Sequence, residues 1–273
     1  MNFLDTILAA KRVEIARAKT GVPQAQLEQR AAERRGFRDF SAALDAPGVR
    51  IIAEIKRASP SIGDIHTDLN PSALAQKYAA GGAAALSVLT EPSFFKGSAA
   101  DLQRARSSVS IPVLRKDFIF DPYQIYETAA MGADALLLIV RILDDEKLHA
   151  LYALARSLGL DVLTEVFDEH DAARATALGA TLVGINNRDL AQFKTDITHA
   201  PRLASYLPPQ TKVVALSGIH TTGDIRLNLT NGIRRFLIGE ALVRQSDPES
   251  ALREWTTTGI GVEPQPETTP AGS

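Results

Sequence analysis

The segments MGADALLL (131–138) and LGATLVGI (178–185) decide the fold. Each leaves a helix through a glycine, passes a small residue and enters a run of Leu, Val or Ile. Runs of this kind, apolar without alternation, are buried on both faces, as in a parallel sheet covered by helices. Working outward from these two segments, the same passage recurs along the chain. Strand-like runs begin near Ile51, Ala84, Pro112, Ala135, Asp161, Leu182, Val213 and Phe236. Helix-like segments lie between them, at roughly 71–80, 98–107, 122–131, 144–158, 168–178, 199–206, 222–229 and 248–255. Asp121 before Pro122 and Asp247 before Pro248 each join a capping side chain to a first-turn proline, where no backbone donor is lost. Gly81 and Gly82, Gly132, Gly159 and Gly179 mark helix ends and can take the left-handed turn. Eight such units predict an α/β fold, a (β/α)8 TIM barrel; the rival, an open doubly wound sheet, would leave two edges.

Two segments fall outside the barrel, which is expected to span 48–257. Residues 1–47 alternate apolar and charged positions at helical spacing (Phe3, Leu4, Ile7, Leu8, then Val13 and Ile15), with a second short helix near Phe37 to Leu44. They read as an N-terminal helical extension. Residues 258–273 have almost no large apolar groups and are expected to form a disordered C-terminal tail.

Composition narrows the function classes. With 273 residues, 45% of them hydrophobic, the chain can bury a core without disulfides or metals. A net charge of −2 gives no reason to expect nucleic acid as a partner, so any bound anion should be small. The absence of cysteine excludes disulfides, thiolate nucleophiles and cysteine metal sites. His66, His149, His170, His199 and His220 show no ligand spacing, so no metal is expected. Asp5, Lys11, Arg12 and Glu14 interrupt any signal-peptide core, and no apolar run approaches membrane length. The expectation is a cytoplasmic protein with no membrane partner, acting as a monomer or weak homo-oligomer.

A barrel places function at the C-terminal ends of its strands. There IIAEIK (51–56) carries Glu54 and Lys56, PVLRK (112–116) ends on Lys116, DVLTE (161–165) on Glu165, and LVGINN (182–187) carries Asn186. Two lysines and two glutamates at one mouth are the equipment of general acid and base chemistry. Ser217 and Gly218 after the seventh strand, and Gly239 and Glu240 after the eighth, offer backbone donors where barrels bind phosphate. A small phosphorylated substrate is therefore expected. Taken singly, each charge reads as a solvated surface group, and only its position after a buried strand reverses that reading. Rim salt bridges and turn capping account for Arg188 and Ser59 as well as binding does, and Asn186 could cap a turn. Phe95 and Phe118 also suit a core, and Asp117 and Asp189 suit loop structure. Ser217 has no histidine–carboxylate partners and is not a hydrolase nucleophile.

EIKRASPSIGDI (54–65), VLTEPSFFKGS (88–98), VSIPVLRKDFIFDPYQIYE (109–127), ALLLIVRIL (135–143), LTEV (163–166), GINNRDL (184–190) and FLIGEALV (236–243) together resemble the indole-3-glycerol phosphate synthase family. The resemblance implies closure of the indole ring of 1-(2-carboxyphenylamino)-1-deoxyribulose 5-phosphate, with loss of carbon dioxide and water and no cofactor. It implies Lys116 as general acid, Glu165 as the carboxylate for proton removal, and Lys56 as partner of the substrate carboxylate or second acid. Glu54 and Asn186 would orient these groups, Phe95 and Phe118 would clasp the anthranilate ring, and Arg188 would steady the phosphate or the carboxylate. Ser217, Gly218, Gly239, the amide of Glu240 and, at the rim, Ser59 would hold phosphate. One position departs: the family's ESGI motif reads LSGI (216–219), with Leu216 where a glutamate is expected. Leu216 removes one negative charge from beside the cations. The chain is then a synthase of altered turnover, a paralogue with another substrate, or a protein that binds ligand without converting it. A phosphoribosylanthranilate isomerase, another phosphate-binding barrel, would need a cysteine base that is absent.

Overall fold

The computed structural model describes residues 3–189 and 194–259. Eight parallel strands close into a barrel: β1 (Arg50–Ile55), β2 (Ala85–Leu89), β3 (Val113–Lys116), β4 (Ala135–Ile139), β5 (Asp161–Val166), β6 (Leu182–Asn186), β7 (Lys212–Leu216) and β8 (Arg235–Ile238). Closure is made where β1 pairs with β8 (Ile51 opposite Phe236) and with β2 (Ile52 opposite Ala85). All eight expected helices form, within a few residues of the expected limits. Asp121 accepts from Tyr123 N and Asp247 from Ser250 N, as their cap positions require. Gly82, Gly132, Gly159 and Gly179 take positive φ, but Gly81 does not. A Cβ on Gly81 would stand 2.7 Å from the Glu249 carbonyl oxygen, so close helix packing is what this glycine serves.

The strands have two buried faces, and residue parity sorts them. Ile51, Ala53, Ile55, Leu86, Val88, Leu136 and Leu138 pack beneath the outer helices. Ile52, Leu114, Leu137, Leu163, Leu182, Val214, Leu216 and Leu237 form a second cluster inside the barrel. Side chains alternate along a strand, so the inward set continues upward as Glu54, Lys116, Glu165, Asn186 and Gly239. The floor is closed from the N-terminal extension. The helix α3 (Phe40–Ala43) and its C-cap Leu44 send Phe40 and Leu44, both fully buried, into the inner cluster. Strand starts hold it there: Arg50 donates to the Ala43 carbonyl and Lys212 pairs with Asp45 at 2.6 Å.

The extension holds more helix than its sequence announced. Besides α1 (Phe3–Gly21) and α3, a helix α2 (Gln24–Glu33) forms with only Leu27 and Ala31 buried. That short apolar stripe, among Gln and Glu, gives little periodic signal. The expected tail lies outside the described residues from 260 onward. Among the described residues no helix is long and apolar enough to cross a membrane.

Candidate active site

One cavity opens at the C-terminal ends of the strands, and every residue singled out from the sequence lines it: Glu54, Lys56, Ser59, Phe95, Lys116, Phe118, Glu165, Asn186, Arg188, Leu216, Ser217, Gly218, Gly239 and Glu240. The charged groups form two facing pairs. Lys56 Nζ lies 2.8 Å from Glu54 Oε1. Across the mouth, Lys116 Nζ lies 3.7 Å from Glu165 Oε2. Glu54 and Glu165 are buried, while the lysine side chains keep 13% and 20% exposure, enough to meet a ligand.

Asn186 joins the second pair to the rim. Its Nδ2 donates to Glu165 Oε1 at 3.0 Å, and its Oδ1 accepts from Arg188 N at 3.0 Å. It therefore caps the turn and also fixes the carboxylate. Arg188 reaches across to the loop after β1, donating to Ser61 Oγ at 2.8 Å. Ser59 is buried beneath this contact, with its hydroxyl 3.4 Å from that of Ser61.

Burial pushes the Glu54 carboxyl up, but the ammonium groups of Lys56 and Lys116 and the Arg188 guanidinium outweigh it and hold the group below its ordinary range. Glu54 stays ionised, with Oε2 buried and without a hydrogen-bond partner. An oxygen left in this state inside a cleft is an acceptor ready for a ligand hydroxyl. Glu54 also explains Gly239: a Cβ there would stand 2.2 Å from Glu54 Oε1.

The aromatic wall is built by the loop after β2. Glu91, buried, accepts from the backbone N–H groups of Ser93, Phe94 and Phe95 and so caps the one-turn helix Pro92–Phe95. That turn sets the Phe95 ring 6.2 Å from Phe118. Both rings pack on the inner cluster and line the cavity. On the opposite side, Ser217 and Gly218 take consecutive positive φ values of 64° and 78°. Two successive positive φ values end the strand in a tight left-handed turn at the cavity wall. Asn187 steadies it, donating from Nδ2 to the Ser217 carbonyl at 3.1 Å and accepting from Ala200 N.

The sequence reading missed Asn187, Ser61 and three residues of α1: Phe3, Leu4 and Ile7, which complete the cavity wall. The helical spacing of Phe3, Leu4 and Ile7 was legible, but spacing cannot say which surface a stripe covers. Asp117 is also more than a loop brace, because it is buried in an ion-paired cluster. At the rim, Asp168, His170 and Asp171 bring ligand atoms within 4.8 Å of one another. The carboxylates are already engaged: both pair with Arg141, while Asp168 caps a helix and Asp171 accepts from Phe167 N.

The family model described as indole-3-glycerol phosphate synthase matches residues 4–255. The chain belongs to this family. It is 51% identical to the indole-3-glycerol phosphate synthase of Desulfosudis oleivorans over 261 residues, covering 94% of this chain and 99% of that one. Indole-3-glycerol phosphate synthase 2 of Ralstonia nicotianae is 47% identical, over 93% and 96% of the two chains. Among solved structures, 3-hexulose-6-phosphate synthase from Salmonella typhimurium superposes with a TM-score of 0.62 at 12% identity, over 77% of this chain and 98% of that one, a likeness of fold alone. Within the synthase family frame, Leu216 becomes specific in its setting. It is buried, sits opposite Asn186 and Leu237 in the sheet, and lies against Gly184, where a Cβ would come within 2.8 Å of Leu216 Cδ1.

Proposed function

We propose that the protein closes the indole ring of 1-(2-carboxyphenylamino)-1-deoxyribulose 5-phosphate, using Lys116 as general acid and Glu165 as the proton-accepting carboxylate. The observation that carries the reading is the pair of facing ion pairs, Lys56 with Glu54 and Lys116 with Glu165, inside a cavity with an aromatic wall. Phe95 and Phe118 hold the anthranilate ring. Ser217, Gly218, Gly239 and the amide of Glu240 receive the phosphate at the end of the cavity where the backbone turns left-handed. A small phosphorylated substrate thus lies across the mouth, ring at one end and phosphate at the other.

Ring closure needs charge placed where charge develops. The ring carbon bearing the carboxylate bonds to the ribulose carbonyl carbon, and the carbonyl oxygen takes a proton from Lys116. Carbon dioxide then leaves, and its bonding electrons restore the ring. The new hydroxyl departs as water with a second proton from a lysine, pushed out by the nitrogen lone pair, while Glu165 accepts the proton lost from the methylene carbon beside the nitrogen, which completes the carbon–carbon double bond of the new ring. Lys56, held by Glu54, suits the substrate carboxylate until that group is lost. Asn186 keeps Glu165 directed at the cavity, and Arg188 adds a cation at the rim.

Purified protein supplied with this substrate should develop indole fluorescence; no product above background would sink the proposal. Leu216 favours a second reading, a protein that binds the same phosphorylated ligand without turning it over. That reading requires Leu216→Glu to remain inactive as well.

A further inference from the structure

The strand that carries Lys116 is fixed by the charges on either side of it. Arg115 points to the other face of β3 by strand alternation, and Asp117, one residue past the strand's end, lies at the cavity's edge. Both are buried, and they pair at 3.1 Å. Thr90 bridges them, donating to Asp117 Oδ2 at 2.6 Å and accepting from Arg115 Nε at 3.0 Å. Glu127 takes a further share of Arg115 at 2.7 Å. The second Asp117 oxygen, Oδ1, accepts from Phe118 N at 2.8 Å and meets Lys11 Nζ at 2.9 Å.

Lys11 belongs to α1, outside the barrel, and its side chain is 1% exposed. A buried ammonium group costs solvation unless it is paired, so its position is set by its partners, Asp117 and Glu14. The cluster depends on it in return. Burial raises the Glu14 carboxyl, and Asp117 and Glu91 raise it further, with Lys11 opposing all three. Removing Lys11 would leave Glu14 and Asp117 without the ammonium group that lies between them.

We infer that Lys11 is a positioning residue, whose ammonium group ties α1 to Asp117 and thereby sets the backbone from Arg115 to Phe118, on which Lys116 and Phe118 face the substrate. The inference rests on Lys116 being the acid of the ring closure. A single carboxylate oxygen holds both Lys11 and the Phe118 amide, so loss of Lys11 removes one of the two contacts that fix that oxygen. Because α1 also supplies Phe3, Leu4 and Ile7 to the cavity wall, its docking and the aim of Lys116 form one arrangement. The far half of α1 is anchored separately. Tyr123 donates to the Ala18 and Val22 carbonyls at 3.0 Å, and Lys19 pairs with Asp121 at 2.7 Å, so loss of Lys11 alone leaves the helix on the barrel.

The test compares the full chain with Lys11→Met, which keeps the length and removes the charge, and with Lys11→Arg, which keeps the charge. The expected result for Lys11→Met is a fall in kcat of about tenfold or more, exceeding the change in KM, with partial recovery in Lys11→Arg. Amide hydrogen exchange should quicken across 113–118 as well as across 3–11. A kcat within about twofold of the unsubstituted chain would overturn the inference, as would faster exchange confined to 3–11. If the unsubstituted chain itself makes no product, the ring-closure reading fails instead, and exchange across 113–118 alone decides whether Lys11 fixes that strand.

Discussion

Replacing Leu216 by glutamate should raise activity while lowering stability, and the structure sets the size of both effects. Leu216 is 1% exposed and packs in the inner cluster with Leu237 and Leu137. Loss of that burial costs about 1.5–3 kcal/mol. For a chain of this size each kcal/mol shifts Tm by about 2–4 °C, so a fall of roughly 5 °C is expected. The longer carboxylate has room, because Gly184 presents no Cβ beneath it. Its parity directs it into the cavity that Lys56, Lys116 and Arg188 line, beside Asn186. A hydrogen bond from a charged group contributes about 1.5–3 kcal/mol. Made chiefly in the transition state, that is about a 10- to 150-fold gain in kcat/KM. Indole fluorescence measures the rate and thermal unfolding measures the cost. A folded Leu216→Glu protein with kcat/KM no higher than that of the unsubstituted chain would refute the reasoning, since the missing carboxylate would then have no part in this site.

Lys116→Met should lower kcat about 100- to 10,000-fold with a smaller change in KM, measured by steady-state fluorescence, because it removes the acid and leaves the cavity wall in place. Gly239→Ala should cut kcat/KM about 100-fold, since its Cβ would stand 2.2 Å from Glu54 Oε1 and push that carboxylate off Lys56. Glu54 has its carboxyl held below the ordinary range. Its contribution to stability is therefore complete above the unfolded value of about 4.3 and is lost as pH falls through the lower folded value. Urea midpoints measured downward from pH 6 should hold to about pH 4 and then drop, with a shallower drop in Glu54→Gln.

The barrel was legible because each unit carries its own signals. A doubly buried strand is mostly apolar, so a charge at its end stands out, as at Lys116 and Glu165, even where β3 also buries Arg115. Asp121–Pro122 and Gly132 act locally and mark the ends of a helix wherever it packs. Gly81 is a helix end as its position announces, but it takes no left-handed turn, and its small size serves contact with Glu249, which no local pattern reveals. Lys11 was visible only as a charge in a helical stripe, and nothing nearby in sequence says that it is buried against Asp117.

The repeated strand and helix units, the polar groups at the strand ends and the exception at Leu216 can all be read from residue order alone. Those properties follow from burial periodicity and motif, which are written along the chain. Tertiary structure decided what these groups do to one another. Closure of the barrel brings Lys116 opposite Glu165 and close enough to act on Glu54, and it leaves Glu54 Oε2 without a partner. It also lays α1 along the wall, so that Phe3, Leu4 and Ile7 share a cavity with residues from every quarter of the barrel. The physical reason is distance: pairing energies, burial and shared hydrogen bonds depend on separation in space, and only the closed sheet makes those separations short.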